Sequence, residues 1–233
     1  MRLAEIDREG FGILENVLDA GTVSWLTDEL AKLASLNSLR RRNESIYGVR
    51  NLLHLSPRTR DFSNSEIVCN IAKSLLGEKA RVVRAIFFDK TAAANWKVPW
   101  HQDLTIAVRE KRETRGFSVW TRKAGIEHVQ PPVGLLEKMV TLRFHLDDAN
   151  ETNGALKVIP RSHKNGRLGA EEIKSRRQAN ETRLCSVKKG DCLIMRPLIL
   201  HSSSAGTSPK NRRVVHFEFS ADDLPNGLDW YGS

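Results

Sequence analysis

Apolar positions in the first third of the chain recur at helical spacing, and near residue 80 the spacing shortens to that of strands. From Asp19 to Leu39, Val23, Leu26, Leu30 and Leu33 fall three or four residues apart, which puts them on one face of an amphipathic helix. Asp19 or Thr22 supplies its cap. A second helix is predicted over Asn64 to Leu76, with Ile67, Val68, Ile71 and Leu75 as its stripe, Ser65 or Asn64 as cap and Gly77 as terminator. From Arg81 to Phe88 the chain is rich in Val, Ile and Phe. Val140 to Asp147 alternates, with Leu142, Phe144 and Leu146 on one face and Thr141, Arg143, His145 and Asp147 on the other. Ala155–Ile159, Leu184–Val187, Cys192–Met195 and Arg213–Phe219 complete the strands, joined by Asn-Gly, Lys-Gly-Asp and Pro turns. Helices followed by many short strands predict a mainly β fold with supporting α, a double-sheet jelly roll with the N-terminal helices packed on one sheet.

The 233 residues suit a single domain, with a helical part over about 1–80 and a jelly-roll core over about 81–220. Thr105 to Glu137 reads as a long irregular connection containing Trp120, Gly125 and Pro131-Pro132. A connection of that length inside a compact domain is usually functional, which makes 105–137 a candidate lid. No apolar run approaches the length of a membrane span, and the N-terminal residues lack the apolar stretch of a signal peptide. Cys69, Cys185 and Cys192 have no zinc spacing, and their odd number suggests reduced thiols, so the expected setting is cytoplasmic. The net charge of +9 is spread over many short basic clusters rather than concentrated on one element. That favours a solvated basic surface, or an electropositive cleft for a small anion, over a nucleic-acid interface.

Candidate chemistry lies in Trp100-His101-Gln102-Asp103, a later His201 and the pair Arg212-Arg213. Residues i and i+2 of a strand share a side, so His101 and Asp103 can reach one metal while Gln102 faces away. With His201 they form the donor set of a 2-His-1-carboxylate facial triad, which holds Fe(II) and leaves positions open for other ligands. In the last strand Arg212, Val214, His216 and Glu218 share a polar face, whereas Arg213, Val215, Phe217 and Phe219 share a mostly apolar one. A polar face suits a wet interior, so Arg212 is preferred to Arg213 as the site arginine.

The run Leu146-Asp147-Asp148 through Asn153-Gly154-Ala155-Leu156 to Val158-Ile159-Pro160-Arg161-Ser162-His163 resembles the signature of the phytanoyl-CoA dioxygenase family. So do Trp100-His101-Gln102-Asp103 and His201 followed eleven residues later by Arg212, and the resemblance extends over about residues 9 to 230. It implies a double-stranded β-helix, cupin-like, and an oxygenase that uses Fe(II), 2-oxoglutarate and O₂. The iron ligands would then be His101, Asp103 and His201, with Arg212 gripping the distal carboxylate of 2-oxoglutarate through a bidentate pair. Arg143 matches a family position that contacts 2-oxoglutarate, and either touches co-substrate or substrate or sits in a salt bridge. Arg50 resembles a basic family position near the co-substrate. Arg161 stands where the family most often has Gly, a change expected to alter the turn type while leaving ordinary dihedrals. The carboxylate Asp103 favours hydroxylation over halogenation, because related halogenases carry a small residue there.

Among the other histidines, His163 reads as structural, His145 and His216 as hydrogen-bonded barrel residues, and His54 and His128 as surface or loop residues. Trp96 and Trp120 either line the substrate site or pack the lid. The expected activity is oxidation of a small anionic or zwitterionic metabolite or natural-product intermediate, giving succinate and CO₂, with a small-molecule substrate and no membrane as partners. Two competing readings are an oxidative demethylase acting on nucleic acid, suggested by charge alone, and a catalytically inactive jelly-roll binding protein, which the intact ligand set argues against.

Overall fold

The computed structural model describes residues 3–33, 40–42, 45–91, 95–207 and 211–232. Its helices are α1 (Leu3–Glu9), α2 (Ala20–Leu33), α3 (Leu52–Leu55), α4 (Pro57–Ser63), α5 (Glu66–Leu76), α6 (Val133–Glu137) and α7 (Ala170–Ala179). Its strands are β1 (Phe11–Leu14), β2 (Arg40–Arg42), β3 (Ser45–Val49), β4 (Arg81–Lys90), β5 (Val98–His101), β6 (Ile106–Val108) and β7 (Ser118–Lys123). They continue with β8 (Ile126–Gln130), β9 (Val140–His145), β10 (Leu156–Val158), β11 (Arg183–Leu184), β12 (Cys192–Met195), β13 (His201–Ser203) and β14 (Arg212–Ser220).

The expected α2 begins as predicted: Asp19 accepts the Thr22 N–H at 2.6 Å, a cap made before the first apolar turn. Val23, Leu26, Leu30 and Leu33 are buried, and the expected continuation to Leu39 lies outside the described residues. In α5 three residues of the expected stripe, Val68, Ile71 and Leu75, pack into the core, and one does not. Val68 and Ala72 are buried while Ile67 is 43% exposed. The helix ends at Gly77, whose φ of +87° an L side chain rarely adopts.

A seven-stranded sheet, in the order β1-β12-β9-β14-β4-β3-β2, faces a four-stranded sheet, β11-β10-β13-β5. All pairings are antiparallel. The outer face of the large sheet is covered by α2, α4 and α5. There Phe62, Phe144 and Phe217 meet edge to face or tilted, with centroids 5.6–6.0 Å apart. Between the sheets, Leu156 and Val158 of β10 pack against Leu193 and Met195 of β12. This closes one part of the interior with apolar groups and leaves the rest for polar residues of β4, β9 and β14. The predicted jelly roll is present.

The segment 105–137 is not irregular. It folds into a third sheet, β6-β8-β7, followed by α6. The strands are only three to six residues long, too short for the alternation to stand out. Their apolar side, Ile106, Val108 and Val129, packs with Leu136, Met139, Leu228 and Trp230, contacts distant in sequence. His128, expected at the surface, is fully buried in β8, where its Nδ1 donates to the Ile126 carbonyl at 3.0 Å.

Phe217 is wholly buried at the centre of the helix–sheet core. Phe217→Ala should lower unfolding stability by about 3–5 kcal/mol. Urea denaturation measures this, and a loss below ~1 kcal/mol would show that this layer does not hold the sheet.

Candidate active site

His101 ends β5 and lies opposite His201 at the start of β13, with the two rings 4.2 Å apart between centroids. Asp103 follows just past the strand, its backbone N–H donating to the Pro197 carbonyl at 2.9 Å. Each histidine has its Nδ1 tied back: His101 donates to Pro99 O and His201 to Ile199 O, both at 2.9 Å. That fixes the tautomer and leaves Nε2 of both rings as the free lone pair, a usual arrangement for metal-binding histidines. Those Nε2 atoms point at opposite oxygens of one carboxylate, His101 3.8 Å from Oδ1 and His201 3.7 Å from Oδ2 of Asp103. The three donor atoms lie within 4.8 Å of one another, a spacing that one ion between them would satisfy. His201 is buried, while the side chains of His101 and Asp103 are each 37% accessible, so the site has an open side. Burial, opposed by Asp103, lowers His201 to about 4. Its Nε2 therefore carries no proton at neutral pH. Burial works against the Asp103 carboxylate, but His201, His101, His216 and Arg143 outweigh it and keep it ionised.

Gln102 faces away as expected, and it has a positioning role that spacing alone does not show. Its amide donates to Leu198 O at 2.7 Å and Gly166 O at 2.8 Å and accepts from Leu168 N at 2.9 Å. It ties the His101–Asp103 segment to the approach of β13 and to the loop before α7.

The large sheet supplies the floor. Arg212, Val214, His216 and Glu218 of β14 pair with Lys90, Phe88, Ile86 and Arg84 of β4, and His216 pairs with Arg143 of β9 on the other side. Arg143 donates to His216 Nδ1 at 2.8 Å. His216 must then carry its proton on Nε2, which donates to Glu218 Oε1 at 3.3 Å. The same oxygen accepts from Arg84 at 3.1 Å. Glu218 is held below the usual carboxylate range despite its burial, because Arg84 and His216 flank it.

Arg212 is 3% exposed, and its Nε and Nη1 have no hydrogen-bond partner; neither has Nε of Arg143. Burial, then the like charge of Arg143, pushes Arg212 down to about 9; burial pushes Arg143 down to about 10. Two buried guanidiniums with unmet N–H groups form a receptor for an anion. A dicarboxylate reaching from the metal donors to Arg212 meets that requirement, so the residues fit both iron and 2-oxoglutarate. Arg213 faces out and is paired: it binds Asp147 through Nε at 2.8 Å and Nη2 at 2.7 Å. The strand-face argument thus places Arg212, not Arg213, in the cavity.

The cavity has a volume of about 350 Å³ and is lined by His101, Asp103 and His201 together with Arg50, Arg143 and Arg212. Sequence reasoning missed Arg84, Ile86, Phe88 and Ser203, which also line it, as do Glu218 of the expected polar face and Thr105 and Lys123 of the expected lid segment. The signal for the first three was period two: Arg84, Ile86 and Phe88 point in, whereas Ala85 and Phe87 join the helix-side core. Trp96 lines the cavity; Trp120 packs against the third sheet's core.

Other expectations need correction. Asp147 does not share the face of Arg143, because β9 ends at His145 and the chain turns outward to meet Arg213. His145 is buried with neither ring nitrogen hydrogen-bonded, so it is not the satisfied histidine expected, and burial beside Arg143 and Arg212 holds it well below its ordinary pKa. Arg161 does not take ordinary dihedrals. It keeps the left-handed backbone that Gly would adopt, at φ +66°, held by its N–H to Glu9 O at 2.8 Å and its guanidinium to the Glu9 carboxylate at 3.1 Å. His163 is structural as expected, donating to Asp7 O at 3.1 Å.

A sequence model of phytanoyl-CoA dioxygenase (PhyH) matches residues 6–214. The chain belongs to the phytanoyl-CoA dioxygenase family. Among curated proteins of this family, phytanoyl-CoA dioxygenase 1 of Oryza sativa subsp. japonica is 27% identical over 182 residues, covering 73% of this chain. The chain spans only 56% of that relative's length. In fold, it is similar to EctD from S. alaskensis, solved with 2-oxoglutarate and 5-hydroxyectoine, at a TM-score of 0.73 and 17% identity, over 94% of this chain and 74% of that one. It is also similar to the epimerase SnoN, solved with Fe³⁺, alpha ketoglutarate and nogalamycin RO, at a TM-score of 0.70 and 18% identity, over 97% and 89%. No helix among the described residues is long and apolar enough to cross a membrane.

If iron binds at the cluster, replacing His101, Asp103 or His201 by alanine should weaken Fe(II) binding by at least about tenfold, since each would supply one of three donors. Arg212→Ala should leave iron binding intact and weaken 2-oxoglutarate by very roughly 30- to 4,000-fold, the equivalent of about 2–5 kcal/mol for a buried charge pair. Anaerobic titration of both ligands measures this. If Arg213→Ala shows the co-substrate loss and Arg212→Ala does not, the face assignment is reversed.

Proposed function

We propose that this chain is an Fe(II)- and 2-oxoglutarate-dependent oxygenase that oxidises a C–H bond of a small anionic or zwitterionic metabolite. The observation that carries the reading is the pairing of two features across one cavity. Three metal donors have their free lone pairs converging within 4.8 Å. Opposite them stands a buried arginine whose N–H groups lack an anion. Iron bound there with 2-oxoglutarate and O₂ supplies an oxidant able to break a C–H bond. In that chemistry one oxygen atom would pass to succinate as CO₂ is released, and the other would end on the substrate.

The protein's own part is binding and exclusion. His101, Asp103 and His201 hold the metal on one face, and the tied-back Nδ1 atoms keep the rings from turning. Arg212 fixes the far carboxylate of the co-substrate, and its bidentate fork sets the plane as well as the position. Arg143, held by His216, borders the same space and adds charge to the floor. A cavity of about 350 Å³, shared with the co-substrate, is at the small end for ligand sites and favours a compact substrate. Thr105 and Lys123 bring the segment 105–137 to the cavity wall, and we assign that segment the role of a lid over the open side.

Iron-loaded protein should convert 2-oxoglutarate to succinate, faster with an accepted substrate from a panel of small acids and amino acids. Absence of succinate with every member, alongside normal iron and co-substrate binding, would favour a binding protein instead. For the lid, amide hydrogen exchange in β7 and β8 should be faster than in β9 and β14 and should slow when substrate is added. Exchange as slow as the β9 and β14 strands in the free protein would make the segment static scaffold.

A further inference from the structure

We propose that the end of the cavity opposite Arg212, where Arg50, Arg84 and Lys123 gather, is the subsite for a carboxylate or phosphate group of the substrate. This rests on the oxygenase reading above. It makes the substrate a small acid held by its charged end, with the C–H bond to be oxidised lying towards the metal donors.

Strand β4 serves as a ruler. Arg212 is paired with Lys90 at one end of the floor, and Glu218 with Arg84 at the other. Six residues of extended strand separate Lys90 from Arg84, about 20 Å. His216 and Arg143, next to the metal donors, lie between these ends. A five-carbon dicarboxylate that runs from the metal to Arg212 occupies one side of the donors and leaves the Arg84 side for the substrate. His216 and Glu218 are two residues apart, so the anion subsite stands about 7 Å along the floor from the level of the donors.

Charge points the same way. The cavity lining carries Arg50, Arg84, Lys123, Arg143 and Arg212 against the carboxylates of Asp103 and Glu218. A divalent ion and a doubly charged co-substrate bring no net charge, so their binding leaves the balance of the lining unchanged. Glu218 does not silence Arg84. It engages one terminal nitrogen, while Nε of Arg84, on a side chain 8% exposed, has no partner. Glu218 shares its oxygen with His216 and so orients the guanidinium. Arg50 continues β3 beyond Val49, which pairs with Phe87. Its register therefore carries it towards Ile86 and Arg84, away from Lys90. That assigns it to the substrate end rather than to the co-substrate. Lys123 stands on the exposed rim, where it can draw an anion in.

The test uses inorganic sulfate as the anion probe, titrated calorimetrically and anaerobically into protein saturated with Fe(II) and 2-oxoglutarate. Wild-type protein should bind sulfate without competition from 2-oxoglutarate. Lys123→Glu and Arg50→Glu should each weaken it by about tenfold or more while iron and 2-oxoglutarate affinities stay within about twofold. Lys123→Glu lies on the rim, so its result does not depend on the fold tolerating a core change. Sulfate that competes with 2-oxoglutarate, fails to bind the loaded wild type, or binds both variants as well as the wild type overturns the subsite. Failure of iron or 2-oxoglutarate to bind the wild type is a separate result, and it overturns the oxygenase reading instead.

Discussion

A guanidinium removed from water needs a compensating partner, and among the described residues the inner face of the large sheet carries three of them. Arg84, Arg143 and Arg212 project from β4, β9 and β14 into the space between the sheets. Arg84 meets Glu218, and Arg143 meets the neutral nitrogen of His216. Arg212 keeps two unmet donors. A protein that needed only stability would gain from apolar residues at these positions. The unmet charge instead makes the floor complementary to anions.

That floor is rigid because its other side is packed. Phe144 and Phe217, which alternate with Arg143 and His216 along their strands, enter the aromatic core beneath α2 and α4. The same alternation therefore anchors the sheet on one side and presents charge on the other. The candidate metal donors come from the opposite sheet, where β13 and β5 are held in register at His201 and His101 and Gln102 ties the end of β5 to the approach of β13. The triad side chains and Arg212 thus sit on separate, independently braced layers, and their separation is fixed by the packing between the sheets.

Backbone detail around the turns supports this arrangement. Gly154 adopts φ +76°, and a Cβ there would lie 2.5 Å from Ser204 O and 2.8 Å from Lys90 Nζ. The bare glycine lets Lys90 reach Ser203 Oγ and Ser204 O, both at 2.7 Å, which joins the end of β4 to the strand bearing His201. Arg161 shows that a left-handed position tolerates a non-glycine residue when long-range bonds compensate. Its partner Glu9 lies 152 residues away.

The sequence by itself determined whatever depends on local periodicity or residue chemistry. The double-sheet fold, the course of α2 from Asp19, the convergence of His101, Asp103 and His201, and the inward face of Arg212 were all legible. Period two and helical spacing are backbone geometry, and a donor set is a matter of side-chain type. Tertiary structure alone decided the features that need a partner from elsewhere in the chain. The third sheet within 105–137 is stabilised by Leu228 and Trp230, so its short strands carry no convincing signal of their own. The burial of His128, the capture of Arg213 by Asp147 and the strained backbone at Arg161 each follow from a contact that no local pattern encodes. The division of the cavity's basic residues into two ends belongs to the same class. Charge is a property of each residue, but the register of β4 between β14 and β3 sets the distance between charges.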